Sequence, residues 1–267
     1  MSKEKKFIPD WYHEKAPERS YRSILKWGDP EAFKAPNSKL YKLMKETFHM
    51  TDDDFKVKQE MGLEEVDYDI PCRLSDNQIA ALEAIVGKAN VSTDNYDRLS
   101  VAYGKTMVDL MRLRKHIVEN VPDAVVYPKN REDIIALVKY CCEQKIPMYV
   151  YGGGVEAVKG GITLDMRKNF NKVISFSEHN QTITVEAGMS GPKLEETLNN
   201  AVSTLGATRA YTCGHFPQSF EYSSVGGWAV TRGAGQNSSY YGKIEDIVIS
   251  QEYVTPVGII KSDEFPR

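Results

Sequence analysis

Three consecutive glycines, Gly152-Gly153-Gly154, directly after the apolar run Met148–Tyr151, constrain this chain more than any other feature. Met148–Tyr151 reads as a buried strand, and a strand that ends in glycines ends in backbone without Cβ atoms. Glycine also permits φ > 0, so successive N–H groups can converge on one anion. A loop cradles a pyrophosphate in this way without side-chain charge. Most glycine-rich turns are only turns, so the motif needs its context.

The context is an α/β unit. Val125-Val126-Tyr127 reads as a short strand ended by Pro128. Asn130 caps a helix with Ile134, Leu137, Val138 and Cys141 on one face, and Ile146-Pro147 ends it before the next strand. Spacing excludes two common phosphate-binding signatures. A Rossmann fingerprint opens a helix and has an acid about 20 residues later. Here Val155-Glu156-Ala157-Val158-Lys159-Gly160-Gly161 leads into the strand-like Ile162–Asp165. A P-loop needs Gly-Lys-Ser/Thr, and Gly242-Lys243 is followed by Ile244.

Further along, Lys172–Phe176 and Thr182–Glu186 read as strands around the turn Glu178-His179-Asn180. Pro192–Asn199 reads as a helix. Ile244–Ile249 and Glu252–Thr255 read as the last strands, with Pro256-Val257-Gly258 as a turn. Ahead of Pro122 the pattern is mostly helical. Ser38 is expected to cap a helix bearing Leu40, Leu43, Met44 and Phe48. Ser75 and Gln78 form a capping box before Ile79, Leu82, Ile85 and Val86, with Gly87 as the stop. A third helix is expected around Leu99–Val118. The expected division is therefore a mainly helical region, 1–121, followed by an α/β region, 122–267.

A second cluster lies in residues 214–246. Ser219, Ser223, Ser224, Gly226, Gly227, Thr231, Gly233, Ala234 and Gly235 concentrate small and hydroxyl side chains there. Such a run lets backbone lie close to a flat, polar ligand, with hydroxyl and N–H groups for ring heteroatoms and phosphates. It reads equally well as a tight packing segment. Arg232 is the fixed cation within it, serving either a bound phosphate or an exposed ion pair.

Composition removes several classes. With 34 Lys and Arg against 37 Asp and Glu, the net charge of −3 offers no footprint for nucleic acid. No run of about 18 apolar residues marks a membrane span, and the amino terminus lacks the apolar centre of a signal peptide. Cys72, Cys141, Cys142 and Cys213 show no metal or redox spacing, which suits reduced thiols in a cytoplasmic protein. The five histidines form no HExxH or HxxxH arrangement, so no metal site is expected.

Taken together and in this order, the two clusters resemble FAD-binding domains of the vanillyl-alcohol-oxidase type, and among them the alkylglycerone-phosphate synthases. Val150-Tyr151-Gly152-Gly153-Gly154 is similar to the front of the first FAD segment. Gln218-Ser219-Phe220-Glu221-Tyr222-Ser223-Ser224, with Val225-Gly226-Gly227-Trp228 after it, is similar to the second. Thr231-Arg232-Gly233-Ala234 is similar to the third, and Tyr241-Gly242 with Ile244-Glu245-Asp246 continues the pattern. Ala102-Tyr103-Gly104-Lys105-Thr106 to Arg114 resembles the stretch preceding the flavin domain.

The resemblance implies an α+β fold: an FAD-binding domain preceded by a mainly helical amino-terminal region. It implies FAD as cofactor, held by the three segments, and a lipid-type substrate for the full-length family. Peripheral membrane contact and a homodimer follow as expectations. In that family acyl-dihydroxyacetone phosphate exchanges its acyl chain for a fatty alcohol in ether-lipid synthesis, and the flavin acts without net redox change. Two alternatives stay open, because fold does not fix chemistry: an FAD-dependent oxidoreductase of a 2-hydroxy acid or alcohol, and a non-catalytic FAD-binding fragment. The context of Trp228 and Thr231-Arg232 favours the ether-lipid group. Two departures stand out. The hydroxyl pair that follows the glycines in the family is missing before Val155. The family also continues past the position of Arg267 into a substrate cap, so a chain truncated before that cap, with no catalytic residue of its own, is expected.

Overall fold

The computed structural model describes residues 15–24, 36–56, 62–104, 106–154 and 159–264. The chain divides into two compact units, residues 1–68 with 105–119, and residues 69–104 with 120–267.

The first unit is helical, with α1 (Tyr21–Ile24), α2 (Ser38–Phe48) and α5 (Met107–Arg114). Asn37 rather than Ser38 caps α2. Its side-chain oxygen accepts from the N–H groups of Lys39 and Leu40 at 3.1 and 2.9 Å, the geometry that satisfies otherwise orphaned first-turn donors. Tyr21, Ile24, Val66 and Leu113 are buried.

The second unit opens with α3 (Asp76–Val86), β1 (Val91–Ser92) and α4 (Asn95–Ser100). The expected capping box is present: Ser75 N–H donates to Gln78 Oε1 at 2.9 Å, and Gln78 N–H donates to Ser75 Oγ at 3.3 Å. Gly87 ends α3 at φ 89°. The single helix expected over Leu99–Val118 is instead the end of α4 and all of α5, with Asp94 and Thr106 each supplying its own cap. Residues 69–104, read from sequence with the helical region, thus carry elements of the sheet-bearing unit.

β2 (Ala124–Val126), α6 (Arg131–Gln144), β3 (Met148–Tyr151) and β4 (Ile162–Asp165) follow. The strand order is β1-β2-β4-β3, with β2 and β3 both parallel to β4 and β1 antiparallel to β2. Alternation along the strands decides the layers. Ala124, Val126, Ile162 and Leu164 pack with Leu82 and Val86 of α3 and Leu137 and Cys141 of α6. Val125 and Tyr151 pack with Val101 in a separate cluster. β3 ends the strand order, and Val150 is 60% exposed, so this strand is only partly buried, contrary to the sequence reading.

The remainder comprises the hairpin β5 (Val173–Ser177) and β6 (Thr182–Val185), then α7 (Gly191–Asn199), α8 (Ala201–Thr204), α9 (Val225–Thr231), α10 (Ser238–Tyr241) and α11 (Ile244–Ile247). The hairpin β7 (Glu252–Thr255) and β8 (Gly258–Lys261) closes it. Met189, Leu194, Leu198, Trp228 and Ile244 form a second core. The strand expected at Ile244–Ile249 begins as the helical turn α11. Lys243 N–H donates to the Asp246 carboxylate at 2.8 Å, which closes the first turn and overrides the β-branched content of the stretch. The fold is α+β, as expected. Among the described residues no helix is long and apolar enough to cross a membrane.

Candidate functional site

β3 delivers the glycine loop at the carboxyl ends of three parallel strands, the edge where open α/β sheets place ligands. A Cβ on Gly152 would lie 2.1 Å from Ser224 Oγ, and one on Gly153 would lie 2.0 Å from the carbonyl oxygen of Tyr222. Neither distance accommodates a carbon. The first two glycines are therefore required because the loop docks on Tyr222–Ser224. Positive φ is not the reason: the glycines with positive φ lie elsewhere, Gly160 and Gly161 among them. Gly154 is different, for a Cβ there would meet nothing within 4 Å among the described residues. The shortening expected after Gly154 concerns residues 155–158, which lie outside the described residues.

The docking partner is itself held firmly. Ser224 bridges to Ser190 and caps α9, its Oγ accepting from Gly227 N–H at 3.3 Å. Val225 N–H donates to Met189 O at 2.8 Å and Gly226 N–H to Ala187 O at 2.9 Å. A Cβ on Gly226 would be 2.7 Å from that of Ala187, so packing accounts for this glycine. Ser223 Oγ donates to Ser219 O at 2.7 Å and accepts from Trp228 Nε1 at 2.6 Å. Trp228 is buried, and Phe220 stacks near it at 6.2 Å between centroids. Gln218 and Glu221 are exposed, whereas Ser219, Phe220 and Tyr222 are half-buried.

At the far end of α9, Thr231 Oγ1 donates back to Gly227 O at 2.8 Å. Arg232 ends the helix at φ 53°. Its guanidinium forms a fork on Glu245, Nε–Oε2 2.6 Å and Nη2–Oε1 3.1 Å, with the side chain 76% exposed. This pairing holds the Glu245 carboxyl down at about 2. The next residue, Gly233, is half-buried, and Ala234 is exposed. A Cβ on Gly233 would stand 3.6 Å from His215 Nε2.

Sequence reading did not single out His215, although it sits within the second cluster. Its ring is 2% exposed, lies edge-on to Trp228 at 4.9 Å, and has no hydrogen-bond partner for either nitrogen among the described residues. Burial pushes its pKa below the ordinary histidine value. Arg167, just after β4, was also missed; its position at the carboxyl edge of a parallel strand was the available signal.

The structure thus joins the first segment to the second backbone-to-backbone, and links the third to the second through His215 and Trp228. A shallow groove of about 470 Å³ beside α9, with Ala229, Val230, Arg232 and Tyr253 in its lining, does not include the glycine loop. Among the described residues no group of three or more His, Cys, Asp or Glu is placed to hold a metal ion.

Comparison with known proteins gives a consistent result. The family described as FAD binding domain matches residues 122–263. Alkyldihydroxyacetonephosphate synthase of Trypanosoma brucei brucei is 29% identical over 242 residues, covering 85% of this chain and 38% of the relative. The synthase of Caenorhabditis elegans is 31% identical over 191 residues, covering 67% of this chain and 30% of the relative. A solved structure of an alkyldihydroxyacetonephosphate synthase superposes with a TM-score of 0.67 at 29% identity, covering 75% of this chain and 36% of that one. The chain therefore spans well under half the length of these relatives.

Proposed function

The chain belongs to the FAD binding domain family and takes FAD as its cofactor, and from that premise we propose that the flavin dinucleotide lies along Val150–Gly154, Gln218–Ser224 and Thr231–Ala234. The observation that carries this reading is the contrast within the glycine loop. Gly152 and Gly153 are closed by Tyr222–Ser224, while the Cβ position of Gly154 is open. A diphosphate needs backbone that it can approach without a Cβ in the way, and the open side of Gly154 fits that need. In the second and third segments, the exposed side chains of Gln218, Glu221 and Thr231 offer hydrogen-bonding groups suited to ribose and ring heteroatoms. The guanidinium of Arg232 is already engaged by Glu245, so the third segment contributes mainly backbone in this reading.

When bound, the flavin supplies the reactive ring. The chain's own residues bind and orient it. For the whole protein we infer an alkyldihydroxyacetonephosphate synthase activity like the one its relatives are named for, with the exchange of an acyl chain of acyl-dihydroxyacetone phosphate for a fatty alcohol that the resemblance implies. Identity to two such synthases over most of the chain supports this. Peripheral membrane contact belongs to the same reading and is supported by α2, whose Leu40, Leu43 and Phe48 are exposed beside Lys39, Lys42 and Lys45. A homodimer and a cytoplasmic setting complete it, the latter suggested by four free thiols.

An absorption spectrum of the purified protein, before and after adding FAD and gel filtration, tests the binding claim. Flavin absorbance should co-elute with the protein. A folded protein that emerges colourless would overturn the claim. In the full-length protein, labelled fatty alcohol should exchange into the substrate, and lactate or glycolate should leave the flavin oxidised. Bleaching by either acid would favour the oxidoreductase.

A further inference from the structure

The glycine loop leaves the sheet from Tyr151, the last residue of β3, and the surroundings of that residue are unusually well fixed. Tyr151 is the register partner of Asp165 across β3 and β4, and its carbonyl accepts from Met166 N–H at 3.1 Å. Its buried ring carries the guanidinium of Arg167 on one face, 4.6 Å from the ring centroid. Arg167 is in turn locked to Asp165: Nε donates to Oδ1 at 2.9 Å, Nη2 to Oδ2 at 2.6 Å, and the Arg167 backbone N–H to Oδ1 at 3.0 Å. The planar fork allows one orientation, so the cation sits over the ring without further ordering. Strand end, tyrosine ring, guanidinium and carboxylate form a closed circuit at the point where Gly152–Gly154 begin.

We propose that Arg167 is a positioning residue for the glycine loop: by pinning Tyr151 to Asp165 it fixes the direction in which Gly152–Gly154 leave β3 and so the placement of the open side of Gly154. This rests on the proposed FAD site. The side chain of Arg167 is 43% exposed while that of Asp165 is 7% exposed. Solvent screens the pair on one side, so its worth to global stability is modest. Its geometric effect is not screened, because ring and fork act on a strand end that the order β1-β2-β4-β3 leaves without a strand neighbour on its outer side among the described residues. The other face of the constraint is apolar: Tyr151 also packs with Val101 and Val125.

Removing Arg167 alone would leave a buried carboxylate short of its partner, so the cleaner variant is the double change Asp165→Asn with Arg167→Met. Arg167→Lys, which keeps the cation and loses the fork, serves if the double variant folds poorly. Two readouts are compared with wild type. The first is amide hydrogen exchange in the flavin-free protein, over residues 148–154 and over β2 as an internal control. The second is FAD affinity by fluorescence titration. We expect exchange over 148–154 to quicken at least tenfold with β2 unchanged, and FAD to bind about tenfold more weakly, with Arg167→Lys intermediate. Wild-type exchange and affinity in the double variant would overturn the proposal. If wild type bound no FAD, the site reading would fail, while the exchange arm, which needs no flavin, would still decide the role of Arg167.

Discussion

Ser224 Oγ occupies the space into which a Cβ on Gly152 would project, only 2.1 Å from that Cβ position, and the Tyr222 carbonyl stands in the same relation to Gly153 at 2.0 Å. The glycine loop and the second segment are thus built as one body. Gly153→Val should act on the protein before it acts on any ligand. The obstacle is a backbone carbonyl, which cannot rotate away as a flexible side chain could, and overpacking of this kind costs typically about 1–3 kcal/mol. Thermal unfolding of the flavin-free variant should show a midpoint several degrees lower. An unchanged midpoint would mean that the loop is not docked on Tyr222.

Arg232→Gln should leave FAD affinity within about threefold of wild type, since the guanidinium is exposed and already paired with Glu245. The change should show in acid stability instead. Pairing with Arg232 lowers the Glu245 pKa from 4.5 to about 2 in the folded protein. Its contribution is therefore present above about pH 4.5 and is lost as pH falls toward 2. The variant should lose this limb of the curve of melting temperature against pH. Because the pair is exposed, the effect should be small and should shrink with added salt. A large loss of FAD binding would reassign Arg232 to the cofactor.

His215 predicts a second pH dependence. Burial favours its neutral form in the folded state and lowers its pKa below 6.5. The unfolded chain then binds the proton more readily, so stability is full above about pH 6.5 and declines as pH falls below it, with the slope of one proton at most. His215→Phe keeps an aromatic edge against Trp228 and removes the titration. The variant should lose less melting temperature than wild type between pH 7 and 5. Parallel curves would show that His215 does not report on acid stability.

Local signals were legible in the sequence. The Ser75–Gln78 capping box, the Asn130 cap, the strand Met148–Tyr151 and the helix ending at Asn199 all appear where residue chemistry within a few positions puts them. The misreadings share a cause, which is competition between local signals. Asn37 outcompetes Ser38 as a cap, and the Asp246 carboxylate turns the start of an Ile- and Val-rich stretch into a helical turn. What could not be read is long-range. Gly153 is glycine because of Tyr222, and Arg232 is engaged because of Glu245. No periodicity encodes either pairing. The resemblance supplied the three segments in order, but only the structure shows that the first rests on the second.

The most direct test of the FAD site is Gly154→Val. A Cβ there meets nothing within 4 Å among the described residues, and Gly154 is not among the glycines with positive φ. Protein stability should therefore stay within the roughly 0.5 kcal/mol of an ordinary surface change. The branched side chain would stand on the side where the diphosphate is proposed to approach. The measurement is FAD affinity by fluorescence titration, with the melting temperature of the flavin-free protein as control. The account predicts an unchanged melting temperature and FAD binding at least about tenfold weaker, equivalent to ~1.4 kcal/mol. Wild-type FAD affinity in a stably folded Gly154→Val protein would contradict it.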